Sequence, residues 1–253
     1  MKRICAGLIT AVFLITACSE RPTVKKNDIV EYIGHYPTDI SGPSGLALSY
    51  DKSFLWTVSD TDKRLYKISF EGKTLDKIKV DAEDMEGVTV IDSTTLAVVL
   101  EKERAVLLIS NDGKEITKKK YKDIKGNGNA GLEGITYNSS TGGFYLLKEK
   151  KPTLLITTDN DLNIIDTKEL KIADDLSGIC YEPLHNNLWI VSHEDKMIAN
   201  CDLKGSIIDS FRVNIPQIEG ISVDYETGKM YVICDETADL FVYDLLDRKK
   251  AKE

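Results

Sequence analysis

Glu86-Gly87-Val88-Thr89-Val90 and Glu133-Gly134-Ile135-Thr136-Tyr137 are two copies of one pattern. Three more are Ser44-Gly45-Leu46-Ala47-Leu48, Ser177-Gly178-Ile179-Cys180-Tyr181 and Glu219-Gly220-Ile221-Ser222-Val223. In every copy a serine or glutamate precedes a glycine, and apolar residues alternate after it. The glycines stand 42, 47, 44 and 42 residues apart, a period that marks a repeat architecture. The longest spacing holds the stretch Lys118 to Gly131, rich in Lys, Gly and Asn, which is expected to be a loop insertion.

Reading outward from each glycine, a second β-rich run follows: Leu55–Val58, Leu96–Val99, Phe144–Leu147, Leu188–Val191 and Met230–Ile233. Several are too continuously apolar to have one solvated face. A third run comes next, at Leu65–Ile68, Val106–Ile109, Leu154–Ile156, Met197–Ala199 and Leu240–Tyr243. Turn residues then appear at Glu71-Gly72-Lys73, Asn111-Asp112-Gly113, Asp159-Asn160-Asp161 and Lys204-Gly205-Ser206, the types that tolerate tight hairpins. A more polar fourth strand precedes the next glycine motif. Four short strands in roughly 40–45 residues make a β-propeller blade. The fifth copy stops after its third strand, at Asp244-Leu245-Leu246, and Ile29–Tyr36 supplies the missing strand. The expected fold is therefore all-β, a propeller of five four-stranded blades closed by an N-terminal strand that removes the open edges. The alternative, a six-bladed relative, would need about 40 more residues than the chain has.

The chain has 253 residues and a formal charge of −8, with 42% apolar residues. That composition supports a packed core and argues against a nucleic-acid partner, which requires a basic stripe. No CxxC pair occurs, excluding a zinc ribbon or a thioredoxin-type centre.

Lys2 and Arg3 precede the apolar run Ile4–Ala17, which is too short to span a bilayer and has the form of a secretory signal. Its end, Ile15-Thr16-Ala17-Cys18, matches a lipobox, so Cys18 is the expected lipidation site. A plain signal peptide with an incidental cysteine is the competing reading. The expected organisation is a signal peptide at 1–17, a lipid-anchored tether at 18–27, the propeller at 28–246 and a charged tail at 247–253. Removal of 1–17 leaves 31 basic and 41 acidic residues, a charge of −10. Ser19 after the cysteine favours the outer membrane of a cell envelope. Cys180, Cys201 and Cys234 are an odd set and are expected to be buried free thiols.

The lipobox, the repeated Glu/Ser-Gly-hydrophobic motif and the run Trp56-Thr57-Val58-Ser59-Asp60 resemble the SdiA-regulated family of envelope propellers, over roughly residues 28–246. Single blades also resemble NHL-type propellers. The resemblance implies a fold and a cell-envelope location, and calcium-linked behaviour, more than a reaction.

In a propeller the first strand of each blade lines the central channel, and the second strand ends at the mouth where the first began. Ser44, Glu86, Glu133, Ser177 and Glu219 should therefore meet Asp60, Glu101, Glu149, His193 and Asp235 at one rim, with Glu194 and Glu236 adjoining. So many carboxylates in a narrow mouth require raised pKa values or a cation. Oxygen donors without clustered Cys or His favour calcium or magnesium over zinc. The expected metal ligands are Glu86, Glu133 and Glu219, with Asp60, Glu101, Glu149, His193 and Asp235 as the channel-mouth binding set. The competing reading makes these carboxylates acceptors for backbone N–H groups of neighbouring blades, or solvated. His193 is either a general base beside Glu194 and Glu219 or a solvated loop histidine. Trp56 and Trp189, at one equivalent position, are expected to pack between blades.

Other matches carry little. The GxGxxG stretch at Gly126–Gly131 leads into a strand rather than a helix, and Asp159-Asn160-Asp161 lacks the glycine and distal glutamate of a calcium loop. No G-x-S-x-G, HExxH or P-loop is present. The expected function is a lipid-anchored, monomeric envelope propeller binding a small-molecule or protein partner at its acidic mouth with calcium as cofactor. The rival is a calcium-dependent hydrolase of phosphoesterase or lactonase type.

Overall fold

The computed structural model describes residues 29–124 and 131–246. The expected signal peptide, Cys18, the tether, residues 126–130 of the GxGxxG stretch and the 247–253 tail lie outside the described residues. Twenty strands form five four-stranded antiparallel sheets, and no helix occurs among the described residues. The chain enters through β1 (Val30–Pro37). Blade 1 comprises β2 (Pro43–Leu48), β3 (Leu55–Ser59), β4 (Arg64–Ile68) and β5 (Thr74–Lys79). Blade 2 comprises β6 (Met85–Val90), β7 (Thr95–Leu100), β8 (Ala105–Ser110) and β9 (Glu115–Lys120). Blade 3 is β10 (Leu132–Tyr137), β11 (Phe144–Lys148), β12 (Leu154–Thr158) and β13 (Ile164–Glu169). Blade 4 is β14 (Gly178–Glu182), β15 (Asn187–Ser192), β16 (Met197–Cys201) and β17 (Ile207–Arg212). Blade 5 takes β18 (Ile218–Asp224), β19 (Lys229–Cys234) and β20 (Asp239–Leu245), and β1 completes it as the outer strand. The β1–β20 register runs from Val30 opposite Leu245 to Pro37 opposite Asp239.

The structure is thus the five-bladed propeller and not its six-bladed alternative. The first strands β2, β6, β10, β14 and β18 each contact the next, and β18 returns to β2. Five apolar clusters lie between successive blades, which explains the continuous apolar second strands. On β7, Leu96, Val98 and Leu100 pack toward blade 1, whereas Ala97 and Val99 pack toward blade 3. Both faces are buried, so no position is left for a polar residue. Trp56 and Trp189 pack between blades as expected. Cys180, Cys201 and Cys234 are free thiols, the last two buried.

Two devices hold the ring together at its axis. The first is the motif glycine: a Cβ on Gly87 would lie 2.6 Å from the Glu133 carbonyl oxygen, and one on Gly220 would lie 2.6 Å from Gly45 backbone. Five strands meet at the axis only if their backbones touch. The second is a hydroxyl two residues after the glycine. Thr89 Oγ1 accepts the Tyr137 N–H at 3.0 Å, Thr136 Oγ1 the Tyr181 N–H at 2.8 Å, and Ser222 Oγ the Leu48 N–H at 3.1 Å. Each stitches one first strand to another across blades and satisfies a buried donor that no ladder reaches.

One expectation needs correction. The stretch Lys118 to Gly131 is not all loop, because Lys118–Lys120 form the end of β9. Outer strands are solvated and accept lysines: Lys118 and Lys120 pair with Glu103 at 3.3 and 2.5 Å. Beyond them, Tyr121 and Ile124 are buried, and the Tyr121 hydroxyl donates to the Leu162 carbonyl at 3.0 Å. The Asp159-Asn160-Asp161 run is a hairpin. Asp159 Oδ1 accepts the N–H groups of Asp161 and Asn163 at 3.0 and 2.8 Å, while Leu162 takes the positive φ that Gly113 and Gly205 hold in other blades.

Gly87→Ala forces a Cβ against the neighbouring backbone and should lower the melting temperature by roughly 3–10 °C, the effect of about 1–3 kcal/mol of overpacking. Gly34→Ala meets nothing within 4 Å and should leave the melt unchanged. Thermal denaturation of both variants checks the pair.

Candidate functional site

Three of the first strands carry a β-bulge where the sequence has glutamate. Met85 pairs with Leu100 and Gly87 with Val99, so Glu86 has no partner residue. Glu133 and Glu219 are skipped in the same way. A bulge turns a side chain out of the regular alternation, and here it turns three carboxylates to one mouth of the channel. Asp60, Glu101, Glu149, His193 and Asp235 follow immediately after β3, β7, β11, β15 and β19. A cavity of about 230 Å³ at that mouth is lined by all eight of these residues and by Ser44 and Ser177. Glu194 and Glu236 do not line it. The channel closes below, where Leu46, Val88, Ile135, Ile179 and Ile221 are all buried.

The two rim serines serve the ring. Ser44 Oγ donates to the Glu86 carbonyl at 2.7 Å and Ser177 Oγ to the Ile218 carbonyl at 2.6 Å. The carboxylates divide into two groups. Glu101, Glu133 and Glu149, all buried, can each offer an oxygen within 4.8 Å of the others. Asp84, Glu86 and Glu101 form a second such set, with Glu101 common to both. Glu219 belongs to neither; it faces His193, whose Nδ1 lies 4.0 Å from Glu219 Oε1. The expected trio of Glu86, Glu133 and Glu219 is therefore divided between two sides of the mouth.

Four lining or supporting residues were not anticipated: Asp84, Lys150, Asp175 and Gln217. Lys150 Nζ bridges Glu149 at 2.6 Å and Glu194 at 3.2 Å. Fully buried Asp175 accepts from His193 Nδ1 at 2.8 Å, from the His193 and Glu194 N–H groups at 3.2 and 3.1 Å, and from Ser192 Oγ. Asp84 pairs with Lys102. A periodic signal exists for three of these positions, Asp84, Asp175 and Gln217. Gly42, Asp84, Gly131, Asp175 and Gln217 each stand three residues before a motif glycine. The N–H of the rim residue donates to the carbonyl there in four copies: Asp60 to Gly42 at 3.3 Å, Glu101 to Asp84 at 3.1 Å, Glu149 to Gly131 at 3.1 Å and Asp235 to Gln217 at 3.0 Å. In blade 4 the Asp175 carboxylate takes that role.

The electrostatics follow from burial and crowding. Burial, with repulsion from Asp60, raises Glu86 to about 8. Glu133 is raised well above the ordinary range by burial and by the charges of Glu86, Glu101 and Glu149. Glu101 is raised by burial despite the Gly131 N–H at 3.1 Å. Burial lifts Glu219 to about 7, with His193 opposing. Asp235 is raised by burial and by Asp60. On the other side, burial would raise Asp175, but its bonds from His193 and Ser192 win and hold it low. The same bond raises His193. On one side of the mouth burial and crowding thus favour the protonated carboxyls of Glu86, Glu101 and Glu133, while on the other the Asp175–His193 bond favours the charged forms of that pair.

The sequence model of the family described as SdiA-regulated matches residues 37–243. Among solved structures, the glutaminyl cyclase of Myxococcus xanthus superposes with a TM-score of 0.67 at 15% identity, covering 86% of this chain and 97% of that one. Virginiamycin B lyase from Staphylococcus aureus gives a TM-score of 0.51 at 15% identity, covering 81% of this chain and 67% of that one. A chain of a nidogen/laminin complex gives 0.56 at 13% identity, covering 80% and 76%. At these identities the likeness is one of fold.

Glu86 and Glu219 bind protons more tightly folded than unfolded, so between about pH 4.5 and 8 the folded state holds more protons. His193, also raised, acts in the same direction. Their contribution to stability is therefore full at low pH and is lost as pH rises through their folded values. Melting temperature of the chelator-treated protein should fall between pH 5.5 and 8.5; Glu86→Gln should flatten that fall.

Proposed function

The chain belongs to the SdiA-regulated family, and from that premise we propose an envelope protein, anchored through Cys18, that binds a ligand or protein partner at its acidic channel mouth with the help of a divalent cation. The carrying observation is the triad Glu101, Glu133 and Glu149: three buried carboxylates with oxygens within 4.8 Å of one another. Such a set fits a hard cation. All donors are oxygens, the spacing suits a shared ion, and burial pushes Glu133 and Glu101 toward the protonated form, from which a cation would displace the proton. Calcium is the first choice because it tolerates irregular oxygen sets, whereas magnesium demands a near-octahedral one. Glu86 and Asp84 would extend the set through Glu101. A bound calcium would supply a positive centre that attracts phosphate, carboxylate or carbonyl oxygens of a ligand. The chain's own residues do the rest. Lys150 fixes Glu149, Gly131 orients Glu101, and the buried aliphatic floor keeps water from the far side. Anchoring rests on the lipobox at Cys18, and the outer membrane on Ser19.

The second reading, a calcium-dependent hydrolase acting on phosphoesters or lactones, is favoured by one feature of the opposite side. His193 is oriented by Asp175 at 2.8 Å and stands 4.0 Å from Glu219. That places a proton donor and an acceptor in the same mouth as the carboxylate triad, across from it. The binding reading needs only the shaped, acidic rim and comes first for that reason.

Calcium titrated calorimetrically into chelator-stripped protein should bind at roughly micromolar Kd with proton release near pH 7, and Glu133→Gln should abolish the heat. Absence of binding to a folded protein would sink the cation reading. With calcium present, turnover of a phosphoester or lactone panel that is lost in His193→Ala would establish the hydrolase; no turnover leaves the binder.

A further inference from the structure

The bulges of the first strands have a counterpart at the outer edge of every blade. Between the third and fourth strands one residue is skipped: Leu75 in blade 1, Ile116 in blade 2, Ile165 in blade 3 and Ile208 in blade 4. In blade 5 the skipped residue of β1 is Ile33, which falls between Tyr243 and Val242. Each bulge lies opposite the fourth and fifth residues of a third strand, and third strands run away from the mouth. All five skipped residues are aliphatic and exposed. Edge bulges deter pairing with other chains. That accounts for the kink and not for an aliphatic residue in every blade.

Other apolar residues gather at the same end. Tyr50 and Leu184, 65% and 66% exposed, stand in the loops between first and second strands, on an apolar funnel of about 430 Å³. Leu246 is exposed where the chain leaves β20, and Tyr32 and Ile164 are exposed beside two of the bulges. Among the described residues, every exposed large apolar side chain thus lies on the half of the propeller away from the acidic mouth. Single exposed apolar residues are ordinary, but a distribution confined to one end is not.

An independent observation says what covers that end. The strand β1 begins there and β20 stops there: Val30 pairs with Leu245, and the Leu246 N–H donates to the Ile29 carbonyl at 2.8 Å. The chain leading back to Cys18 therefore joins the propeller at its apolar end. That segment reaches at most about 40 Å, and the strands alone put the mouth about 20 Å farther from the anchor. Charge then selects the kind of surface. Each blade carries at this end a carboxylate that accepts a turn N–H: Asp51, Asp92, Asp159, Asp202 and Asp224. Lys52, Lys73, Lys114 and Lys204 stand in the same turns and loops. The mixture lacks the basic cluster that selects anionic lipid.

Resting on the Cys18 anchor proposed above, we propose that this end of the propeller lies on a zwitterionic phospholipid surface. Tyr50 and Leu184 meet the headgroup boundary, and the acidic mouth opens away from the membrane. Tyrosine suits that boundary, with an apolar ring and a polar hydroxyl. The anchor supplies residence at the surface, so the face need supply only orientation. Because the aliphatic bulges run around the whole perimeter, a tilt toward any blade brings one of them to the lipid. A ligand of the mouth then arrives from the aqueous side.

Two arms of the test keep the anchor and the face apart. In the first, the full chain is expressed in bacterial cells and recovered with the membranes, and Cys18→Ser should release it. Retention unchanged by Cys18→Ser sinks the anchor reading. In the second, residues 19–253 are held by an N-terminal hexahistidine tag on a nickel-chelating lipid, in vesicles of brominated phosphatidylcholine, which needs no acylation. Leu184→Trp and, separately, Tyr50→Trp report lipid contact, and Glu236→Trp reports the mouth; each replaces an exposed residue. Trp56 and Trp189 are buried and give a common background. Emission of the two face reporters should fall roughly twofold relative to unbrominated vesicles, as for side chains at the headgroup boundary. Glu236→Trp should match the unaltered protein, and added phosphatidylglycerol should not deepen the quenching. No quenching at either face reporter, or equal quenching at Glu236→Trp, overturns the proposal. Quenching that appears only with phosphatidylglycerol overturns the zwitterionic surface.

Discussion

Five backbones must meet at one axis, and everything else in the structure answers to that constraint. The first strands approach so closely that a single methyl on Gly87 or Gly220 would overlap the next strand. Close approach leaves inner N–H groups that no sheet ladder reaches, and Thr89, Thr136 and Ser222 supply their acceptors. It also leaves no room for side chains inside the ring, so the residue before each glycine is pushed to the mouth. The acidic cavity is therefore a consequence of how the ring closes, and its chemistry lies in which residue occupies that position.

The choice of residue is uneven around the ring. Ser44 and Ser177 donate to backbone and complete the scaffold, whereas Glu86, Glu133 and Glu219 are bulged and aim their carboxyls at the cavity. Their neighbours after each second strand then divide the mouth. On one side Glu101 and Glu149 crowd Glu133 with like charge. On the other, Asp175 and His193 balance each other beside Glu219. A site with an electron-rich cradle and an adjacent proton-carrying pair suits a cation with its ligand, or the acid–base steps of a hydrolysis. Rigidity comes from the N–H of each rim residue, which bonds the loop before the first strand of its own blade, through a carbonyl in four blades and the Asp175 carboxylate in blade 4.

Away from the axis the repetition continues in the outer strands, each of which carries one bulged aliphatic residue. Inner and outer bulges lie toward opposite ends, so carboxylates gather at the mouth and exposed apolar side chains at the other end. The described chain enters and leaves at the apolar end, because β1 starts and β20 stops there. Repeats make such an asymmetry readable, since every blade states it again.

Much of this was legible in the chain itself. The spacing of Gly45, Gly87, Gly134, Gly178 and Gly220 implied five blades, and the missing last strand implied that Ile29–Tyr36 would complete the ring. Strand direction alone brought Asp60, Glu101, Glu149, His193 and Asp235 to the mouth that Glu86, Glu133 and Glu219 share. These are consequences of periodicity, which is a one-dimensional property. The bulges, the partition of the glutamates and the pairings of Asp175 with His193 and of Lys150 with Glu149 and Glu194 were not legible. They depend on which carboxyls face each other across the ring, and residues 44 to 86 positions apart, such as Glu133 with Glu219 or Lys150 with Glu194, have no sequence relation that fixes their separation. Lys118–Lys120 were misread for a related reason: an outer strand is defined by its ladder to β8, not by its composition. Periodicity along the chain sufficed for the number of blades, their closure and the acidic rim of Asp60, Glu86, Glu101, Glu133, Glu149, Glu219 and Asp235 with His193, though not for Lys150 and Gln217 beside them. The tertiary structure decided which of those residues share a cation-sized space and which share a proton, because charge and desolvation depend on distances through space.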